Sequence, residues 1–138
     1  MLDGLIAEAR AAAPRECCGL LIGTSDRIVD AVTVPNTHPD PERRYTIGPA
    51  DHFAAVRRAR RGNLQVVGAY HSHPRGPDGP SPTDLAEAFP DFLFLIISLA
   101  SEPPSVTGWR LEGGNFVRAA LVGTGQGTGV ARDEGEGR

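Results

Sequence analysis

The spacing of apolar residues along the chain predicts two main helices. Apolar residues recur at helical spacing over residues 1–13, and Pro14 ends that pattern. The same spacing recurs over residues 49–61, with a proline at its start and Gly62 just past its end. Three residues of this second helix are predicted to face inward: Phe53, Val56 and Ala59.

Short runs of apolar and β-branched residues predict the strands. They cover residues 17–22, 27–34, 43–47, 64–72, 92–99, 105–111 and 116–122. The run 92–99 is strongly apolar, and we predict that it is the central strand. The last two runs form a hairpin across residues 112–115. Strands mixed irregularly with two main helices predict an α/β or α+β layered fold.

The pattern is lost after Val122. Six of the last sixteen residues are glycine, and Val130 is the only branched aliphatic residue among them. Segments with so few apolar residues cannot bury enough surface to fold. We therefore predict one domain over residues 1–122 and a disordered tail over residues 123–138.

Length and charge exclude several classes of protein. The chain has 138 residues, whereas a barrel of eight β/α units needs roughly 250. All 14 basic residues are arginine, so lysine Schiff-base chemistry and a P-loop are both excluded. A net charge of −3 argues against a nucleic-acid partner. The arginines of residues 57–61 are predicted to form a solvated helix face, with a binding patch as the alternative.

Membrane insertion and disulfide formation are not expected. No run of 18 apolar residues occurs, and the first residues lack the pattern of a signal peptide. Cys17 and Cys18 are adjacent, so in a strand they point to opposite faces and do not pair with each other. We expect a reduced, cytoplasmic protein.

Two histidines follow one another where a buried strand ends. His71 and His73 are two residues apart, so both side chains leave the strand on one face. The loop 74–80 contains three prolines and leads to Ser81 and Asp84, and a stiff loop of this kind can return a third ligand to the strand end. Three protein ligands with one open position are typical of catalytic zinc.

Other interpretations of these residues remain open. The segment 81–84 is also a good helix start, with serine as N-cap, proline at N1 and an acid at N3, and we predict a short helix through Ala88. The two interpretations are compatible, because a helix start can fix a ligand rigidly. No HExxH or CxxC pattern occurs, which excludes two other kinds of zinc site. His38 and His52 are predicted to be ordinary polar residues.

Glu16 followed by the stretch HSHPRGPDGPSPTD resembles the JAMM (MPN-plus) zinc metalloprotease family. The family signature is a glutamate, then HxH, seven residues, a serine, two residues and an aspartate, and every position matches. The segment PRECCGLLIG resembles the first strand of that family, and residues 44–47 resemble its short strand ahead of a helix. The similarity covers residues 1–122.

The resemblance implies a role for each matching residue. His71, His73 and Asp84 match the zinc ligands, with one Zn²⁺ per chain and a water in the fourth position. Glu16 matches the general acid/base that hydrogen-bonds this water, and Ser81 matches the hydroxyl that stabilises the oxyanion. The implied fold is a mixed β-sheet flanked by two main helices, with a short helix after the metal loop.

The resemblance also implies a substrate. Family members cleave amide bonds after the C-terminal Gly-Gly of ubiquitin-like proteins, and this compact chain resembles the small free-standing prokaryotic type. The implied partner is a ubiquitin-like modifier or sulfur-carrier protein, with no nucleic acid and no membrane. Two alternatives remain: an inactive binding scaffold of the same fold, and a zinc hydrolase of small amides.

Overall fold

The computed structural model describes residues 1–76, 79–81, 91–124 and 127–132. In chain order its elements are α1 (Leu2–Ala12), β1 (Cys18–Thr24), β2 (Arg27–Val34), α2 (Pro49–Arg61), β3 (Gln65–His73), β4 (Leu93–Ser98), β5 (Ser105–Glu112), β6 (Asn115–Thr124) and β7 (Gly127–Arg132). Both predicted helices and six of the predicted strands are confirmed to within a few residues. Over the described ranges, no helix is long and apolar enough to cross a membrane.

The seven strands form one mixed, closed sheet in the order β1-β2-β7-β6-β5-β4-β3. Every neighbouring pair is antiparallel except β3 and β4, which run parallel. A parallel pair needs a long crossover connection, and residues 74–92 provide it. This connection leaves β3 directly after His73, so the segment that carries the predicted site starts at the end of a buried strand.

The helices pack on opposite faces of the sheet. Leu5 and Ala9 of α1 belong to a buried cluster that contains Tyr70 of β3. Ala55 of α2 belongs to a second cluster, with Ala69 of β3. Successive side chains of a strand alternate between its faces. His71 and His73 have the parity of Ala69 and therefore lie on the face that α2 covers.

The inward face of α2 differs from the prediction. Phe53 is 62% exposed, whereas Ala55 and Ala59 are each only 2% exposed. Val56 is half-buried. Small side chains allow the helix to approach the sheet closely, so the alanine stripe faces the sheet and Phe53 is turned to the opposite side of the helix.

The strand predicted over residues 43–47 is absent from the described structure, where this segment is irregular. Its backbone hydrogen bonds go to a neighbouring loop instead of a strand ladder. The Thr46 N–H donates to the Asn36 side-chain oxygen (3.1 Å), and the Thr46 carbonyl accepts from the Thr37 N–H (3.1 Å). One asparagine side chain therefore replaces the partner strand.

The predicted disorder is wrong for Gly127–Arg132, which form β7. This strand pairs with β6 along its length and with β2 at Arg27 and Ile28, which closes the sheet. The contact depends on glycine: Gly127 has a φ of 129°, and a Cβ there would collide with the Ile28 carbonyl oxygen. Val130 packs against the core. Residues 133–138 lie outside the described part, and the domain boundary at Val122 stays a prediction.

The predicted central strand, β4, is one strand of a closed sheet rather than the centre of an open one. β4 lies between β3 and β5, and all six of its residues are buried. The short helix predicted after Ser81 falls on residues 82–88, which lie outside the described residues.

Candidate active site

The two predicted histidine ligands meet at the end of β3. The Nε2 atoms of His71 and His73 are 3.0 Å apart, and the ring centroids are 4.9 Å apart. Both side chains are buried, with 1% and 7% of their surface exposed. The alternation of the strand thus directs two imidazoles to one point, as predicted.

The spacing of the two nitrogens fits a shared metal ion. Zinc binds imidazole nitrogens at about 2.0–2.1 Å, and two ligands in tetrahedral geometry are then about 3.3 Å apart. Among the described residues, no group of three or more His, Cys, Asp and Glu side chains gathers around a common point. Asp84, the predicted third ligand, lies outside those residues. The described structure therefore brings together two of the three predicted ligands.

Tyr45 holds the plane of His71. The two rings are stacked, with centroids 4.5 Å apart and an angle of 19° between the planes. Tyr45 is half-buried and lies in the irregular segment ahead of α2. Sequence reasoning missed this contact because it assigned the segment to a strand. The signal available in the sequence was Tyr45 itself, an aromatic residue in a loop otherwise rich in polar residues.

Glu16 lies across from His73. The register of β1 and β3 pairs Cys18 with His71, and the Ser72 N–H donates to the Cys17 carbonyl (3.1 Å). Continuing that register by one residue places Glu16 beside His73. Glu16 is 7% exposed. Its predicted position next to the histidines is thus supported by strand pairing.

Glu16, His73 and Ser81 line one cavity of about 550 Å³. Its mouth also contains the exposed charged side chains of Glu42 and Arg43. We call it the polar cavity. It contains both residues predicted to act in proton transfer and oxyanion binding, together with one predicted metal ligand.

Asn36 anchors the backbone of Glu16, and sequence reasoning missed it. Its Nδ2 donates to the Glu16 carbonyl (3.0 Å) and to the Arg44 carbonyl (2.9 Å). Its Oδ1 accepts from the N–H groups of His38 and Thr46, each at 3.1 Å. An asparagine directly after a proline is typical of a turn, and that was the signal for it.

Two serines hold the backbone next to the histidines. Ser72 Oγ accepts from the Cys17 N–H (2.8 Å), which fixes the end of β3 to the residue after Glu16. Ser98 Oγ donates to the Gly76 carbonyl (2.8 Å) and is 2% exposed. The second bond joins the loop after His73 to β4.

Cys17 and Cys18 are free and buried, as predicted. Burial raises the pKa of each thiol from an ordinary value near 9 to about 12. Both thiols are therefore protonated at neutral pH. This argues against a thiolate nucleophile at these positions and favours their interpretation as small buried side chains.

Tyr45 lines a second cavity of about 480 Å³. We call it the apolar cavity. Its lining residues are Leu20, Tyr45, Thr46, Ile47, Pro49, His52, Ala69, Phe92 and Phe94. The ring of His52 is 6.2 Å from that of Phe92. His52 is thus a cavity wall residue rather than an isolated surface residue, whereas His38 accepts the Asp40 N–H at 2.8 Å in a loop turn.

A family model for prokaryotic homologs of the JAB domain matches residues 1–112. This chain belongs to that family. The match covers both helices ahead of the histidine pair, the pair itself and the strands through β5. It confirms the predicted membership of a small prokaryotic JAMM/MPN family.

Two relatives have names that describe an activity. A Thermus thermophilus protein named a probable TtuB-protein conjugate cleaving protease is 38% identical over 89 residues. That match covers 62% of this chain and 60% of the Thermus protein, less than two thirds of its length. A Haloferax volcanii desampylase is 33% identical over 103 residues, which is 70% of this chain and 74% of that protein.

Solved structures confirm the fold. The solution structure of a Desulfitobacterium hafniense protein superposes with a TM-score of 0.74 at 30% identity, over 85% of this chain and 84% of that one. The crystal structure of a JAB1/MPN domain protein from Archaeoglobus fulgidus gives a TM-score of 0.51 at 23% identity, over 84% and 88% of the two chains. The second likeness concerns the fold alone.

Proposed function

We propose that this chain is a JAMM-type hydrolase that uses zinc to cleave the amide bond after the C-terminal Gly-Gly of a ubiquitin-like modifier or sulfur-carrier protein. The observation that carries the proposal is the buried pair of imidazoles, His71 and His73, with ring nitrogens 3.0 Å apart beside the cavity that contains Glu16. The activities named for the Thermus and Haloferax relatives support the substrate class.

In this proposal His71, His73 and Asp84 hold one zinc ion. The bound ion would supply a Lewis acid for the amide carbonyl and lower the pKa of a water toward about 7. The stacking of Tyr45 on His71 fixes the imidazole before the metal arrives. The His71 side chain then loses less conformational freedom when the ion binds.

Glu16 acts as the general base and then as the general acid. Its carboxylate takes a proton from the attacking water and delivers it to the leaving amine. The Glu16 N–H donates to the Pro41 carbonyl at 2.7 Å, and its own carbonyl accepts from Asn36. The backbone is therefore held on both sides of the Glu16 Cα atom.

Ser81 donates its hydroxyl to the oxyanion that develops on the cleaved carbonyl. It lies in the same cavity as Glu16 and His73. A fixed donor aimed at such a charge contributes about 10²–10³ in rate.

The Gly-Gly ending of the substrate is selected by shape. Glycine carries no side chain, so a narrow approach to the histidine pair admits it and excludes larger residues. Backbone hydrogen bonds to an extended tail would supply affinity without reading side chains. We further propose a cytoplasmic location, where the two buried thiols stay reduced.

A cleavage assay tests this function. The substrate is a Gly-Gly-ended ubiquitin-like protein fused through its C-terminus to a reporter peptide. We expect cleavage after Gly-Gly by the zinc-loaded wild type, and a loss of about 10²–10⁴-fold in kcat for Glu16→Gln, which keeps its zinc. His71→Ala should lose both zinc and cleavage. Glu102→Gln, at a side chain that is 86% exposed, is the matched control and should cleave normally.

Three outcomes would overturn the proposal. Cleavage by Glu16→Gln at the wild-type rate would remove Glu16 from the reaction. Equal cleavage of the fusion and of a short Gly-Gly peptide would instead indicate a hydrolase of small amides. A zinc-free wild type that binds the fusion without cleaving it would indicate a scaffold.

A further inference from the structure

One face of α2 carries an exposed aromatic ring and three arginines. Phe53 is 62% exposed, and Arg57, Arg60 and Arg61 are exposed as well. Their spacing of four, seven and eight residues from Phe53 places them on one side of the helix. We call these four residues the outer face of α2. It is opposite the alanine stripe that packs on the sheet.

Two side chains of the outer face, Phe53 and Arg57, contact each other. The Arg57 guanidinium lies over the Phe53 ring, 5.2 Å from its centroid. A cation–π pair of this kind restrains both side chains in water. Aromatic residues and arginine are the types enriched at the centres of protein interfaces. The pair is thus preorganised for a partner rather than for the protein's own core.

The outer face is positively charged in an acidic chain. The net charge is −3, yet four arginines fall within residues 57–61. Within the described part of the chain, one of these four arginines forms an ion pair: Arg58 pairs with the Asp30 carboxylate. The charges of Arg57, Arg60 and Arg61 are therefore directed at solvent, where they attract an acidic surface.

The outer face leads to the histidine pair along the first turn of α2. Pro49 and His52, in that turn, line the apolar cavity, and Tyr45 forms the wall of this cavity. Tyr45 is stacked on His71. The outer face is thus one turn of α2 away from a cavity whose wall residue Tyr45 contacts one of the two histidines.

We propose that the outer face of α2 docks the folded body of the substrate protein, through an acidic surface with an apolar residue that covers Phe53. The substrate tail then lies in the apolar cavity. This inference rests on the proposed function and adds the surface that selects the substrate. An acidic protein is favoured over a nucleic acid because the arginines lie on the same helix face as an exposed aromatic ring that an apolar side chain of a protein can cover.

The test uses two substrates with one Gly-Gly ending: the fusion of an acidic ubiquitin-like protein to a reporter, and a short peptide. For the variant Arg57→Glu/Arg60→Glu/Arg61→Glu we expect kcat/KM on the fusion to fall about 10–100-fold through KM, and less at high salt. For Phe53→Ala we expect a loss of about tenfold. Cleavage of the short peptide should not change, because it lacks a folded body.

The matched control is Arg118→Glu. Arg118 is an exposed arginine that also lies over an aromatic ring, 5.7 Å from the centroid of Trp109, but on β6 rather than α2. It should leave both substrates unaffected. Reversing the acidic residues of the fusion to lysine should restore its cleavage by the triple variant, which a merely structural effect would not do.

The outcomes separate the two proposals. Unchanged cleavage of the fusion by the triple variant, or an equal loss on both substrates, would overturn the docking surface and leave the function intact. If the wild type cleaves neither substrate, the proposed function itself fails. Salt-sensitive binding of a labelled single-stranded oligonucleotide that the triple variant loses, without any effect on the fusion, would identify a nucleic-acid surface instead.

Discussion

The polar cavity and the apolar cavity have different walls. The polar cavity contains Glu16, His73 and Ser81, with charged side chains at its mouth. The apolar cavity is lined mainly by aliphatic and aromatic side chains. Tyr45 connects them, because it forms a wall of the second and stacks on His71.

Under the proposed function, this difference predicts separate roles: chemistry in the polar cavity and tail binding in the apolar cavity. Proton transfer and oxyanion binding need polar groups held in place, whereas a tail is bound through apolar surface and shape. Changes in the polar cavity should therefore lower kcat, and changes in the apolar cavity should raise KM. Ser81→Ala and Ile47→Ala test this division of roles directly, and Asn36→Ala tests the support of Glu16.

Ser81→Ala should lower kcat about 10²–10³-fold with little change in KM, because it removes one donor to the oxyanion. Zinc content should stay at the wild-type value. Steady-state kinetics on the fusion substrate measure both parameters. Ser101→Ala, at an exposed serine in the loop before β5, is the control. A rise in KM with kcat unchanged would contradict the division.

Asn36→Ala should lower the free energy of unfolding by about 1–3 kcal/mol and lower kcat as well, because four backbone groups lose their partner. Urea denaturation measures the first effect. Asn36→Asp keeps the acceptor and loses the donor, so it should fall between wild type and Asn36→Ala. If Asn36→Ala has wild-type stability and kcat, Asn36 does not support Glu16.

The sequence predicted the parts of the fold and site that depend on local period. A spacing of two residues in a strand is enough to place the imidazoles of His71 and His73 on one face, and the structure confirms it. The stacking of Tyr45 and the four bonds of Asn36 depend on how a loop folds back, which no local period encodes. These contacts required the structure.

Two errors have physical causes that composition hides. Glycine-rich sequence indicated disorder, but in β7 glycine permits the close contact with β2 that closes the sheet. The helical spacing of apolar residues predicts Phe53 to face inward with Val56 and Ala59, but the sheet accepts the smaller alanines of α2 and Phe53 is exposed. Asp84 lies outside the described residues, so its role as a ligand stays a prediction.

Ile47→Ala should raise KM about three- to tenfold and leave kcat nearly unchanged, because it removes apolar surface from the cavity proposed to hold the tail. Val29→Ala, at a valine that is 38% exposed on β2, is the control. A fall in kcat of the size expected for Ser81→Ala would show that the two cavities are not separate in function.

A further effect is a loss of stability in alkali. The buried thiols of Cys17 and Cys18 have pKa values of about 12, and burial also raises the pKa of Tyr70. The native state thus keeps protons that the unfolded chain releases from about pH 9, so the contribution of these groups to stability should be constant below that pH and fall from there toward pH 12.

Urea denaturation at a series of pH values measures this fall. Cys18→Ala should make it shallower, because one of the raised thiol pKa values is removed. Reaction of the folded protein with a thiol reagent at pH 8, at the rate of free cysteine, would contradict the burial of these groups.

The zinc content of the purified protein tests the central claim most directly. Elemental analysis should find one zinc per chain in the wild type and in Glu16→Gln, and almost none in His71→Ala, His73→Ala or Asp84→Asn. Equal zinc in the wild type and in the histidine variants, or none in the wild type after exposure to excess zinc, would contradict the account.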